Sequence, residues 1–237
     1  MPITLNLQNS INFAAPILKN QPLMVSNFEP ALTAANMVLG MILGPPCKWR
    51  FNRNTFSFTI TNAGGTDYVK NLSDFGFLET QWTKDSSGTI YQLGGALSLA
   101  MPSSNDQRRP VKMAAEYDDN AGNITFRMDS TPDANYTVYG DYQKKATLLT
   151  SAASNWGVVP DEFAYIFNWG FLCIMSLLIN DSRFPIFENY FIARLLGAQD
   201  GLSDQERSIF VGNWMALAGT MTRATGAVNS GVAGRGK

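Results

Sequence analysis

The chain has 237 residues, 45% hydrophobic and 16% charged, the composition of a globular protein with enough material for a sizeable core. With 18 basic and 19 acidic residues its net charge is -1, so no overall field steers it toward polyanions, and the balance argues against a dedicated nucleic-acid binder. Histidine is absent, which excludes Ser-His-Asp and Cys-His nucleophilic sites. The 2 cysteines, Cys47 and Cys173, lie far apart with no CxxC spacing, so they read as buried reduced thiols rather than metal ligands.

Met1 to Phe28 carries one charge, Lys19, and is interrupted by Pro16 and Pro22. It lacks the basic start and unbroken apolar stretch of a signal peptide, so the protein is expected to be cytosolic when made. Ser26 with Glu29 has capping-box spacing and Pro30 suits a first helical turn, which predicts a helix near Glu29 to Leu43, ended by Gly44-Pro45-Pro46. From about Thr55 to Lys145 the apolar period becomes two: Phe56, Phe58 and Ile60; then Ile124, Phe126 and Met128; then Tyr136, Val138 and Tyr142. Asn62 to Gly65, Asp85 to Gly88 and Asp118 to Gly122 supply turns, the last joining Val111–Tyr117 to Asn123–Asp129 as a hairpin.

Pro160, Asp161 and Glu162 open a second helical region, with helices predicted over Asp161–Ile179, Pro185–Leu196 and Asp204–Met221. Ser203 with Glu206 caps the last, along which Phe210, Trp214, Leu217 and Met221 form an apolar stripe. Phe163 to Asn180 carries no charge, and its length reaches the threshold for suspecting a membrane span of about 18 residues. Asn168, Gly170 and Ser176 within it, and the absence of a basic flank, favour a central buried helix. The segment after Met221 is rich in glycine and small residues and carries Arg223, Arg235 and Lys237 with no acid, which predicts a flexible tail.

The layout predicts an α+β fold: a helical bundle built from N- and C-terminal helices, with an inserted antiparallel β sandwich or barrel-like domain. Its segments are an N-terminal arm and first bundle helix over 1–54, a β domain over 55–150, C-terminal bundle helices over 151–222 and a tail over 223–237.

Candidate chemistry is sparse. Asp118, Asp119, Asn120 and Asn123 could gather around calcium but lack EF-hand spacing, and turn chemistry explains them. Asp161 and Glu162 point in different directions on a helix, so helix-start electrostatics suits them better than an acid-base couple. Gly64-Gly65 and Gly94-Gly95 precede no helix with the lysine and hydroxyl of a phosphate loop. Arg108-Arg109 forms a small basic cluster able to meet DNA phosphates or a neighbour's carboxylates, or simply a solvated loop. Lys48, Arg50 and Arg53 interleave with Trp49 and Phe51, either stacking nucleic-acid bases or anchoring the aromatics in a core. Nothing implies a cofactor or an enzyme.

Several segments in order resemble the head-to-tail connector proteins of tailed bacteriophages, the adaptors beneath the portal. CKWRFNR followed by a glycine turn and Asp67-Tyr68 resembles that family's entry. MDSTPDANYTVYGDYQKKATLLT, residues 128–150, continues through Asn155-Trp156 and VPDEFAYIFNWGFLCIMSLLINDSR as similar proteins do. The pattern also shades into tail-tube closing (nozzle) proteins.

The resemblance implies a structural virion protein of the phage neck, assembled as a ring, usually of twelve copies, on the portal. It further implies a tail or nozzle protein below, DNA passing through the channel without sequence recognition, and no membrane. Adaptor tails dock into portal clefts, which assigns that role to Arg223, Val228, Val232, Arg235 and Lys237. The uncharged helix and the last stripe supply subunit-interface candidates: Phe163, Phe167, Trp169, Phe171, Phe210 and Trp214. The alternative from a different class, a membrane-acting lysis factor, rests on Phe163 to Asn180 alone.

Overall fold

The computed structural model describes residues 6–19, 24–26, 29–95, 104–118, 121–151, 153–156, 159–199 and 202–230. Among them the chain is α+β, with helices α1 (Leu7–Leu18), α2 (Ala31–Leu43), α3 (Ala164–Leu178), α4 (Phe184–Gly197) and α5 (Asp204–Ser230). The strands are β1 (Met24–Ser26), β2 (Glu29–Pro30), β3 (Arg53–Ile60), β4 (Asp67–Asn71), β5 (Phe75–Asp85), β6 (Ile90–Gln92), β7 (Gly94–Gly95), β8 (Ser104–Gln107), β9 (Lys112–Asp118), β10 (Asn123–Met128), β11 (Ser130–Thr131) and β12 (Tyr136–Lys144). Two compact units result: Asn52–Lys145, which holds β3 to β12, and Met1–Phe51 with Ala146–Lys237, which holds the helices.

In the helical unit α3 is buried on nearly every side, from Ile166 and Phe167 through Gly170–Leu177, because the other four helices all pack on it. A helix apolar all round has no other soluble solution, and no helix among the described residues is long and apolar enough to cross a membrane. Gly170 sets the spacing, since a Cβ there would stand 2.8 Å from both Val38 Cγ1 on α2 and Phe191 Cε2 on α4. The first helix, α1, was not foreseen. Asn6 caps it by accepting from the Asn9 amide at 2.9 Å, and Leu7, Ile11, Ala14 and Leu18 bury its inner face. Pro16 falls in its last turn, where the lost donor costs one hydrogen bond rather than the helix.

Two expectations for the helices are corrected. α2 starts at Ala31, two residues after the expected start, and Glu29 accepts from the Thr33 amide at 3.0 Å, while the side chain of Ser26 lies outside the described set. α5 runs on to Ser230, so residues 223–230 of the expected tail are helical; Gly226 weakens that stretch without a proline to end it. Of the expected stripe on α5, Phe210 and Trp214 are buried, Ala218 is buried with them, and the side chains of Leu217 and Met221 lie outside the described set.

The strand unit holds two four-stranded sheets, ordered β3-β12-β5-β6 and β4-β10-β9-β7. Period two is visible in β3, β10 and β12, whose alternate residues Phe56, Ile60, Ile124, Phe126, Met128, Tyr136 and Val138 are buried in one cluster. Phe126 is its centre, stacked on Phe56 at 4.9 Å and Phe58 at 5.4 Å. The β9–β10 hairpin forms as expected, and its turn ends on Gly122 at φ 88, where a Cβ would meet Ser73 Cα at 2.7 Å. The β3-β12-β5-β6 sheet is purely antiparallel, whereas the other four-stranded sheet is mixed because β7 pairs β9 in parallel; β8 and β11 form a separate parallel pair, and neither four-stranded sheet closes on itself into a barrel.

Candidate interaction surface

The cysteines are chemically quiet. Both are buried; burial pushes the Cys47 thiol up to about 12 and raises Cys173 as well, so neither is a thiolate near neutrality. Among the described residues no group of three or more acids or cysteines could hold a metal ion. Asp119 and Asn120 lie outside the described residues, and Glu162 is exposed within a short 3-10 turn, Asp161–Phe163.

The aromatic-basic segment is an anchor. Trp49 is buried, donates from Nε1 to the Ile42 carbonyl at 2.6 Å and packs edge-on to Phe163 at 5.3 Å, with Phe51 beside both. Lys48 pairs with Glu206 at 2.9 Å, and Arg53 pairs with Glu79. Base stacking on Trp49 is therefore ruled out by its burial. Arg108 and Arg109 do not hang free in a loop. Asp129 accepts from the Val111 and Lys112 amides at 2.9 and 3.1 Å and from Arg108 Nη2 at 3.3 Å, while the Arg109 guanidinium lies 4.1 Å from the Tyr91 ring centre. Both arginines remain exposed and cationic, fixed in place by these contacts.

The interface candidates divide. Phe167 and Phe171 are wholly covered by the chain's own residues, the former edge-on to Trp156 at 5.1 Å. Phe210 and Trp214 are covered too, Trp214 packing on Phe191 at 5.5 Å and donating to Glu188. Phe163 is half-buried against Trp49 and Phe51. Phe167 and Phe171 present no face to another molecule, because the helical core uses them first, whereas Phe163 keeps part of its ring open and Phe210 and Trp214 line a pocket with Gly40, Met41, Gly44, Pro45 and Asn213. Trp169 is different. It is half-buried, with Phe13 at 5.8 Å, Tyr190 at 5.0 Å and the Arg194 guanidinium 5.3 Å from its ring centre.

Tyr190 at Trp169, Tyr165 one turn before Trp169 on α3 and Ile186 one turn before Tyr190 on α4 are residues that the sequence pattern does not single out. Tyr165 is 43% exposed, Ile186 55% and Tyr190 47%, and Arg194 stacks on the Tyr190 ring at 5.5 Å as well. Tyrosine, tryptophan and arginine in one exposed cluster is the composition of an interface hot spot. The signal was present in α4 as apolar residues on both faces, with Phe187, Phe191 and Leu195 turned inward and Ile186 and Tyr190 outward. Arg223 and Val228 lie on the helical backbone of α5, whereas Val232, Arg235 and Lys237 are outside the described residues.

The chain matches no protein-family model, and no curated protein matches its sequence.

Proposed function

We propose that this chain is a structural subunit that assembles as a ring and joins the portal to the tail of a tailed bacteriophage, continuing the DNA channel. The observation that carries the reading is the insertion of the strand unit, Asn52–Lys145, between two stretches that make the helical unit. A strand unit inserted between helical stretches supports the organisation implied by the resemblance, a helical bundle with an inserted β sandwich. The segment carrying the resemblance runs through β12 and α3 to the corner where Arg183 holds Asp181 with Nε at 3.0 Å and Nη2 at 2.7 Å. The exposed Tyr165 on α3 and Ile186 and Tyr190 on α4 provide contact area for assembly, and Arg108 and Arg109 provide fixed cations for a polyanion or a neighbour. The end of the chain, from Arg223 to Lys237, is assigned to portal docking.

Native mass spectrometry of the purified protein mixed with its portal tests the reading. A stoichiometric ring on the portal is expected, and a clean absence of binding overturns it.

A further inference from the structure

The exposed residues of α4, and the described exposed residues of α5 from Ser208 to Gly219, are uncharged where water would ordinarily select charge. On α4 Ile186, Asn189, Tyr190 and Ala193 are exposed; on α5 Ser208, Ile209, Gly212, Met215 and Ala216 are exposed. Ile209 is 50% and Met215 66% exposed, so these are large apolar groups in solvent. Gly212 adds a second oddity. Glycine inside a helix is disfavoured relative to alanine, and among the described residues nothing beyond the helix's own adjoining backbone lies within 4 Å of a Cβ built there. Nothing among the described residues asks for glycine at this position, whereas a close neighbour would.

Charge supplies the direction. Arg194, held over Trp169 and Tyr190, makes no ion pair among the described residues, and Asp204, exposed at the start of α5, makes none either. Ile186, Tyr190 and Arg194 recur at every fourth position on α4, as Asp204, Ser208 and Gly212 do on α5. Helices share one rise per residue, so two such rows laid antiparallel stay in step.

Resting on the ring-forming reading, we infer that α4 of one copy packs antiparallel on α5 of the next, with Arg194 opposite Asp204, Tyr190 opposite Ser208 and Ile186 opposite Gly212. Large groups then meet small ones and the two unpaired charges meet each other. The occupant is a second copy because the complementary row is carried by the same chain. The two faces differ, so the contact is heterologous and propagates head to tail, as a ring requires; a two-fold contact would stop at a dimer.

Charge reversal tests the pairing, with assembly followed by native mass spectrometry of the protein alone and mixed with portal. Arg194→Asp and Asp204→Arg should each weaken the contact by about tenfold or more. The double variant should assemble again, and so should an equimolar mixture of the two single variants, because every contact in an alternating ring then joins opposite charges. Gly212→Trp should not form rings, and its melting temperature should be no lower than that of unassembled wild type, since the described residues leave that site open. If wild type forms rings and all these variants do so equally well, the α4–α5 contact is overturned while the ring reading stands. If wild type forms no ring in either condition, the ring reading falls and takes this contact with it.

Discussion

A methyl group at Gly170 would stand 2.8 Å from Val38 and Phe191, inside a core where neither neighbour has room to retreat. Gly170→Ala should therefore destabilise the protein by about 1–3 kcal/mol, the usual penalty for overpacking. Gly212 faces the opposite situation. In the unassembled chain Gly212→Ala should stabilise by up to about 1 kcal/mol, from helix propensity alone. Urea midpoints of the two variants on either side of wild type are the expected result. Asn36 offers a third residue-scale measurement, because its side chain donates to the Leu149 carbonyl at 3.1 Å and accepts from the Leu149 amide at 2.8 Å. Leu149 is buried, so Asn36→Ala strands both backbone groups without water, at a cost of about 1–3 kcal/mol in the same assay.

Among the elements, the start of α5 makes the clearest case for local sequence deciding local structure. Glu206 accepts from the Ser203 amide at 2.9 Å, the Lys48 ammonium at 2.9 Å and the Ser203 hydroxyl at 2.8 Å, and the Glu206 amide donates back to that hydroxyl at 3.3 Å. The Ser203 amide first, and then Lys48, hold this carboxyl down from its usual 4.5 to about 2. A depressed carboxyl stabilises the fold fully above its unfolded value, and the contribution fades as pH falls from about 4.5 toward 2. Glu206→Gln removes that dependence. The melting temperature of wild type should exceed that of Glu206→Gln at neutral pH, and the gap should narrow through this acid window.

This capping box was legible in the sequence, as were β3, β10, β12 and the β9–β10 hairpin, because one buried face and one wet face imprint a period of two. β5 was not legible. It lies between β12 and β6, its pairing with β12 shifts register twice, and it turns Gln81 and Thr83 inward. Gln81 is tolerated there because its Nε2 donates to the Gly94 and Met113 carbonyls at 2.9 and 3.1 Å, a tertiary contact that no local pattern announces. Trp169 and Phe167 looked alike in a helix that is apolar throughout, and only the placement of α4 and α1 separates the surface one from the core one. Ile186 and Tyr190 were hidden for the same reason.

At the scale of the whole molecule, the apolar residues sort into two clusters that share no member. One contains Leu39, Ile42, Phe167, Phe171, Phe191 and Trp214, all in the helical unit; the other contains Phe56, Ile60, Ile124, Phe126, Val138 and Tyr142, all in the strand unit. Each cluster must offset the chain entropy of its own unit. Phe126 is fully buried among stacked rings, so Phe126→Ala removes about 3–5 kcal/mol from the strand unit. That loss should appear as sub-global opening rather than uniform weakening. In hydrogen exchange followed by mass spectrometry, peptides from β3, β10 and β12 of Phe126→Ala should exchange faster, while those from α2 and α3 keep wild-type protection. Equal acceleration in all of them would mean that the two clusters melt as one cooperative body, and the division of the chain into two separately stabilised units would have to be abandoned.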